Sequence, residues 1–263
     1  MKLFTCMRLF NVYIHTVKRP GEILAALLIT ALMMVTDAVA SDESNFFEPA
    51  NNDVSDVASL QRGARNYVNY CTGCHSAQYV RYNRLARGLG ISEDQLINNL
   101  MFAAEKPHET MRVAMPKADA RRWFGQVPPD LSLIARSRGT DYLYRFLRSF
   151  YIDESRATGV NNLVLKSLNM PHVLWELQGK QRAVFEENEE GQQEFQGFEQ
   201  VAPGTLSPEE YDQFVRDLVN FLEYIGEPGQ LQRRQLGIWV LLYLFVFGIF
   251  AYLLMKEIWK DVK

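Results

Sequence analysis

The chain has 263 residues, 48% hydrophobic and 22% charged, which suits one domain of ordinary size plus some membrane-directed sequence. A formal net charge of -3 speaks against nucleic-acid binding, which calls for a strongly basic face, and leaves basic proteins or membrane neighbours as partners. Cys6, Cys71 and Cys74 are the only cysteines, and the first lies in a segment expected to be removed, so no disulfide framework is available.

At the N-terminus, Lys18 and Arg19 precede an apolar run over residues 23–35, and Ala38-Val39-Ala40 precedes the polar Ser41-Asp42-Glu43. This order predicts a secretory signal peptide over residues 1–40, because the run is too short to span about 30 Å of hydrocarbon comfortably. The long leader before Lys18 leaves an uncleaved anchor as the alternative. Residues 41–58 are polar, and structure should begin near Ser59.

Leu60, Ala64, Tyr67, Val68 and Cys71 recur at helical spacing and predict a short amphipathic helix, with Gly63 permitting close packing on another element. That helix delivers the chain into Cys71-Thr72-Gly73-Cys74-His75. Two thiols three positions apart on a tight turn can form thioethers with the two vinyl groups of one haem, and the adjacent histidine then lies beneath the iron. A thioredoxin-like dithiol would need a βαβ setting and no dedicated histidine, and neither condition is met. With one such motif, a single haem c is expected, attached outside the cytoplasm.

The sixth iron position separates electron carriers from ligand-binding proteins, since a methionine there raises the potential and closes the site. The candidates are Met101, Met111, Met115, Met170, His108 and His172, and spacing alone does not choose among them. Met115-Pro116 and Met170-Pro171 each hold a thioether ahead of a rigid turn.

Further along, residues 93–103 and 141–151 are weaker helix candidates, while Pro128-Pro129 and Pro171 fix extended loops. Glu186, Glu187, Glu189, Glu190, Glu194 and Glu199 form an acidic run that reads as a solvated segment or as a docking surface for a basic cytochrome c. Residues 208–225 form the best-specified helix: Ser207 can cap it, Pro208 suits its first position, Glu210 completes a capping box, and Gly226 and Pro228 end it. Residues 236–255 carry no charge and lie between Arg233-Arg234 and Lys256, which predicts a transmembrane helix. Trp239, Tyr243, Tyr252 and Trp259 lie toward its ends, where aromatic rings favour the headgroup layer. The expected layout is therefore residues 41–235 outside the cytoplasm, a single anchor at 236–255, and a cytoplasmic tail at 256–263. No repeat and no strand-rich stretch stands out, so the fold class expected is all-α.

The chain resembles the cytochrome c1 family, the haem subunits of cytochrome bc1 complexes, in its short bacterial form. The resemblance covers most of residues 60–260. It rests on Arg62-Gly63 through Cys71-Thr72-Gly73-Cys74-His75-Ser76, on Trp123-Phe124-Gly125-Gln126-Val127-Pro128-Pro129-Asp130-Leu131-Ser132 with Arg136-Ser137-Arg138, on Asn169-Met170-Pro171-His172-Val173-Leu174-Trp175-Glu176-Leu177, and on the C-terminal helix leading into one anchor. It implies a cytochrome c-like haem domain with one haem c on two thioethers, and His75 and Met170 as axial ligands. It also implies that Arg136 pairs with a haem propionate, a contact for which a guanidinium is well shaped, and that Pro128 and Pro129 wall the haem.

The function implied is electron transfer within a ubiquinol–cytochrome c oxidoreductase, from a Rieske iron–sulfur protein to a soluble or anchored periplasmic cytochrome c. Cytochrome b would be a partner, in a dimeric complex of the bacterial inner membrane. Rival readings are an anchored cytochrome serving a terminal oxidase and a haem-based sensor with a displaceable sixth ligand. An enzyme acting alone would need a further cluster of catalytic residues.

Overall fold

The computed structural model describes residues 48–188 and 191–260. The predicted signal peptide lies outside them, as do Glu189, Glu190 and the last three residues of the tail.

The first helix, α1 (Val57–Tyr70), is capped by Asp56, whose carboxylate accepts from the Ser59 backbone N–H at 3.1 Å. The chain then runs through β1 (Ala77–Arg81), α2 (Tyr82–Leu89), α3 (Glu93–Asn99), β2 (Thr110–Met111), α4 (Lys117–Phe124), α5 (Ile134–Arg138) and α6 (Thr140–Arg148). After these come β3 (Phe150–Ile152), β4 (Val160–Asn162), α7 (Trp175–Gln178), β5 (Gly179–Glu187), β6 (Gln193–Pro203), α8 (Pro208–Gly226) and α9 (Gln230–Ile258).

Helix α8 begins as its sequence specifies. Ser207 Oγ accepts from the Glu210 N–H at 3.3 Å, and the Glu210 carboxylate accepts from the Ser207 N–H at 2.8 Å. Each bond satisfies an N–H that the helix itself leaves unpaired. Ser207→Ala is therefore expected to cost about 1 kcal/mol. In thermal melting that is a fall of about 2–4 °C, and an unchanged midpoint would contradict it.

The core is organised where α1 crosses α8. A Cβ on Gly63 would lie 2.6 Å from Cβ of Phe221 and collide with the Asp217 carbonyl oxygen, so the two backbones meet with no side chain between them. Beside the crossing, buried Asp217 receives Arg62 through two bonds of 2.6 and 2.9 Å, Ser59 Oγ at 2.8 Å and Gln213 Nε2 at 2.9 Å. A buried carboxylate is tolerable only when it is satisfied in this way. Tyr67, Val215, Leu218 and Phe221 fill the space around it.

Among the described residues the domain is not purely helical, which corrects the all-α expectation. Three antiparallel two-stranded sheets accompany the helices: β1 with β2, β3 with β4, and β5 with β6. The largest, β5–β6, hides in the sequence because glutamate, glutamine and glycine are poor strand formers and both its faces are largely exposed. It is held by its own ladder and by the aromatic series Tyr151, Phe185, Phe195 and Phe198, with successive ring centroids 6.2, 5.9 and 4.9 Å apart.

Helix α9 extends beyond the predicted 236–255 at both ends, and none of its residues is buried. Its 29 residues are long and apolar enough to cross a membrane. At 1.5 Å per residue the helix is about 44 Å long, against a hydrocarbon thickness of about 30 Å.

Candidate haem site

The CxxCH segment continues α1 as one tight turn. Cys71 and Thr72 N–H groups both donate to the Tyr67 carbonyl, and Cys74 and His75 N–H groups both donate to the Cys71 carbonyl, at 2.8–3.0 Å. Tyr67, buried against Phe221, donates its hydroxyl to the His75 carbonyl at 3.0 Å. The motif therefore sits on the core helix and not on a free loop.

The Pro128–Ser132 segment is laced to the chain just after His75. Leu131 N–H donates to the Ser76 carbonyl at 2.8 Å, and the Asp130 carboxylate accepts from the Gln78 N–H at 3.0 Å. This brings the Pro129 carbonyl oxygen to 2.7 Å from His75 Nδ1. A carbonyl can only accept, so Nδ1 carries the proton and the Nε2 lone pair is left for a metal, the usual arrangement behind a ligating histidine. Pro129 thus orients the ring besides walling the site.

Burial lowers the His75 pKa, only partly opposed by the Pro129 hydrogen bond, so the imidazole is held neutral, as a ligand must be. Burial, with Cys74 nearby, pushes the Cys71 thiol up to about 12, and burial raises Cys74 as well. The two cysteines are unpaired. A redox dithiol depends on a depressed thiol pKa, so these environments disfavour the thioredoxin-like alternative.

Cys71, Cys74 and His75 open onto a cleft lined mainly by apolar side chains. Pro128, Pro129 and Leu131 form one wall, Leu218 and Leu222 of α8 form the back, and Met170 with Pro171 lies on the lining too. Of the six candidates for the sixth iron position, only Met170 lines this cleft. Met101 and Met111 are buried in the core, Met115 lies elsewhere, and His108 is exposed. His172 is buried, its ring stacked on Phe150, and burial brings its pKa down to about 4. An apolar cleft presenting two unpaired thiols, one oriented imidazole and one thioether fits a covalently held haem.

Arg136 departs from the expectation. It is not among the lining residues; its guanidinium pairs with Glu227 just past α8, and its side chain is 53% exposed. The arginine on the cleft is Arg138, which also lies over the Tyr142 ring at 5.6 Å. Helical residues two apart point to different sides, so the displacement by two positions moves the side chain from one face of α5 to another. Ile134, Arg138, Tyr142 and Phe146 all line the cleft, and their spacing of four is a signal the sequence carries even though Gly139 interrupts the helix.

The model of the Cytochrome C1 family matches residues 50–262. A cytochrome c1 of Allochromatium vinosum is 52% identical, covering 90% of this chain and 98% of that protein. A Nitrosomonas europaea protein named ammonia monooxygenase gamma subunit is 45% identical over 90% of this chain and 97% of its own length. A cytochrome c1 of Rhodospirillum rubrum is 29% identical over 79% of this chain and 83% of its own.

Proposed function

Because the chain belongs to the cytochrome C1 family, we propose that it is the haem-bearing electron-transfer subunit of a bc1-type quinol–cytochrome c oxidoreductase. The observation that carries this reading is the convergence of Cys71, Cys74, His75 and Met170 on one apolar cleft. When bound, haem c supplies an iron that takes up and releases one electron without any substrate bond being made or broken.

The chain's own residues have holding and tuning roles. Cys71 and Cys74 would carry the thioethers, His75 Nε2 and the Met170 sulfur would ligate the iron, and Arg138 would pair with a propionate in place of Arg136. Apolar walls from Pro128, Pro129, Leu218 and Leu222 exclude water, which with a methionine ligand favours a high potential. The donor is a Rieske iron–sulfur protein and the acceptor a periplasmic cytochrome c, with cytochrome b as the membrane neighbour. Residues 1–40 direct export, α9 spans the inner membrane once, and the haem domain faces the periplasm.

Affinity purification of the full chain from membranes is expected to bring down a b-type cytochrome and a Rieske protein. Recovery with a terminal oxidase or a monooxygenase instead would contradict the assignment. Carbon monoxide should leave the reduced haem c spectrum unchanged at neutral pH, and a clear shift would favour a sensor.

The acidic hairpin is the docking surface for a basic acceptor. On β5–β6, Glu186 stands directly across from Glu194, and Arg182 reaches Glu199 only at 3.8 Å. Like charges set opposite each other cost stability, so a cationic partner relieves them. Neutralising Glu186, Glu187 and Glu194 to glutamine is expected to slow acceptor reduction about tenfold or more at low ionic strength and little at high salt. Stopped-flow rates indifferent to both salt and substitution would refute the docking role.

A further inference from the structure

His172 is a buried imidazole that the electron-transfer reading leaves without a task. Its buried Nε2 meets the Gln178 side chain without a well-formed hydrogen bond, and its ring lies parallel to that of Phe150, with centroids 4.8 Å apart and planes 5° apart. Phe150 is itself almost wholly buried, and Gln181 Nε2 donates to its carbonyl at 2.7 Å. Phe146 meets it edge-on at 5.3 Å, and Tyr142 stacks on Phe146 at 6.3 Å. Phe146 and Tyr142 are walls of the haem cleft. An aromatic series therefore runs from the cleft wall to a ring attached two residues after Met170, across the rigid Pro171.

On the C-terminal side, the Trp175 N–H donates to the His172 carbonyl at 3.4 Å, and Leu174 is buried in the core. The short segment bearing Met170 is thus fastened just behind the thioether by a stacked ring. We infer that His172 is a positioning residue for Met170, holding the sixth-ligand segment closed by stacking on Phe150 and not through its Gln178 contact or by ligation. The inference rests on Met170 being the sixth ligand.

Cyanide binding to the oxidised haem c of the purified full-chain complex tests it, followed by loss of the far-red methionine–iron band, because the anion can enter only when Met170 is off. An aromatic stack is worth enough that its loss should raise the open population, and hence the cyanide association rate, about two- to twelvefold. His172→Leu is expected to show that increase. His172→Phe keeps a ring for Phe150 and gives up only the nitrogen that meets Gln178, so it should stay within about twofold of the parent protein. A merely structural role would lower the melting temperature of His172→Leu and leave the cyanide rate and the far-red band unmoved; that result overturns the inference. Equal acceleration in His172→Phe and His172→Leu also overturns it, since the nitrogen would then matter. Met170→Leu, measured alongside, should bind cyanide without the slow opening step. If it instead matches the parent, Met170 is not the ligand and both readings fall.

Discussion

Replacing Met170 with leucine is expected to leave the haem covalently attached while its midpoint potential falls by on the order of 0.2 V. The substitution nearly conserves volume in an apolar lining, so folding should survive at a cost below about 1.5 kcal/mol. What is lost is the thioether, the one soft sixth ligand that the cleft presents. At about 59 mV per decade for one electron, a fall of that size shifts the equilibrium with the donor by roughly a thousandfold. A Rieske centre can sit as high as about +300 mV, so the haem would no longer take its electron and quinol oxidation by the complex should fail. Redox titration of the haem c band measures the shift directly. An unchanged midpoint would remove Met170 from the iron.

The second large effect is expected at Gly63. Its position meets the Asp217 carbonyl oxygen and the Phe221 Cβ of α8, both main-chain or main-chain-proximal atoms that cannot rotate away. Gly63→Val must push α1 off α8, opening the packing around Tyr67 and straining the Asp217 network. Overpacking of this kind costs about 1–3 kcal/mol or more. At about 2–4 °C per kcal/mol, the melting midpoint should fall by about 2–12 °C. Haem retention should fall with it, because Cys71 directly follows α1 and Leu218 and Leu222 on α8 form the back of the cleft. A melting midpoint within about 2 °C of the parent would mean that the crossing is looser than its geometry implies.

Features whose chemistry is local in the chain were legible in the sequence. Cys71, Cys74 and His75 are one turn, and Ser207, Pro208 and Glu210 specify their helix start within four residues, as the two reciprocal bonds of the capping box reflect. Gly63 reads as a close-packing position, though its partner on α8 lies more than 150 residues away and no local pattern names it. Arg136 and Arg138 illustrate the limit from the other side. Both are arginines on the same short helix, and only the rotation of α5 against α8 decides that one reaches Glu227 and the other the cleft.

The β5–β6 hairpin is not legible in the sequence, for a compositional reason. Its glutamates and glutamines read as solvated coil, while the residues that hold it, Phe185, Phe195 and Phe198, are too few to produce an alternating pattern. Leu218 and Leu222 were visible as an apolar helix face but not as a cleft wall, since core and cofactor pocket draw on the same kind of surface.

The most direct measurement is the intact mass of the denatured, purified chain, taken with its pyridine haemochrome spectrum. The expected result is a mass increment of one haem that survives denaturation and acid–acetone extraction, with a spectrum of the type in which both vinyl groups are saturated. A haem that extracts, or a mass without the increment, would contradict attachment at Cys71 and Cys74 and with it the reading of the cleft.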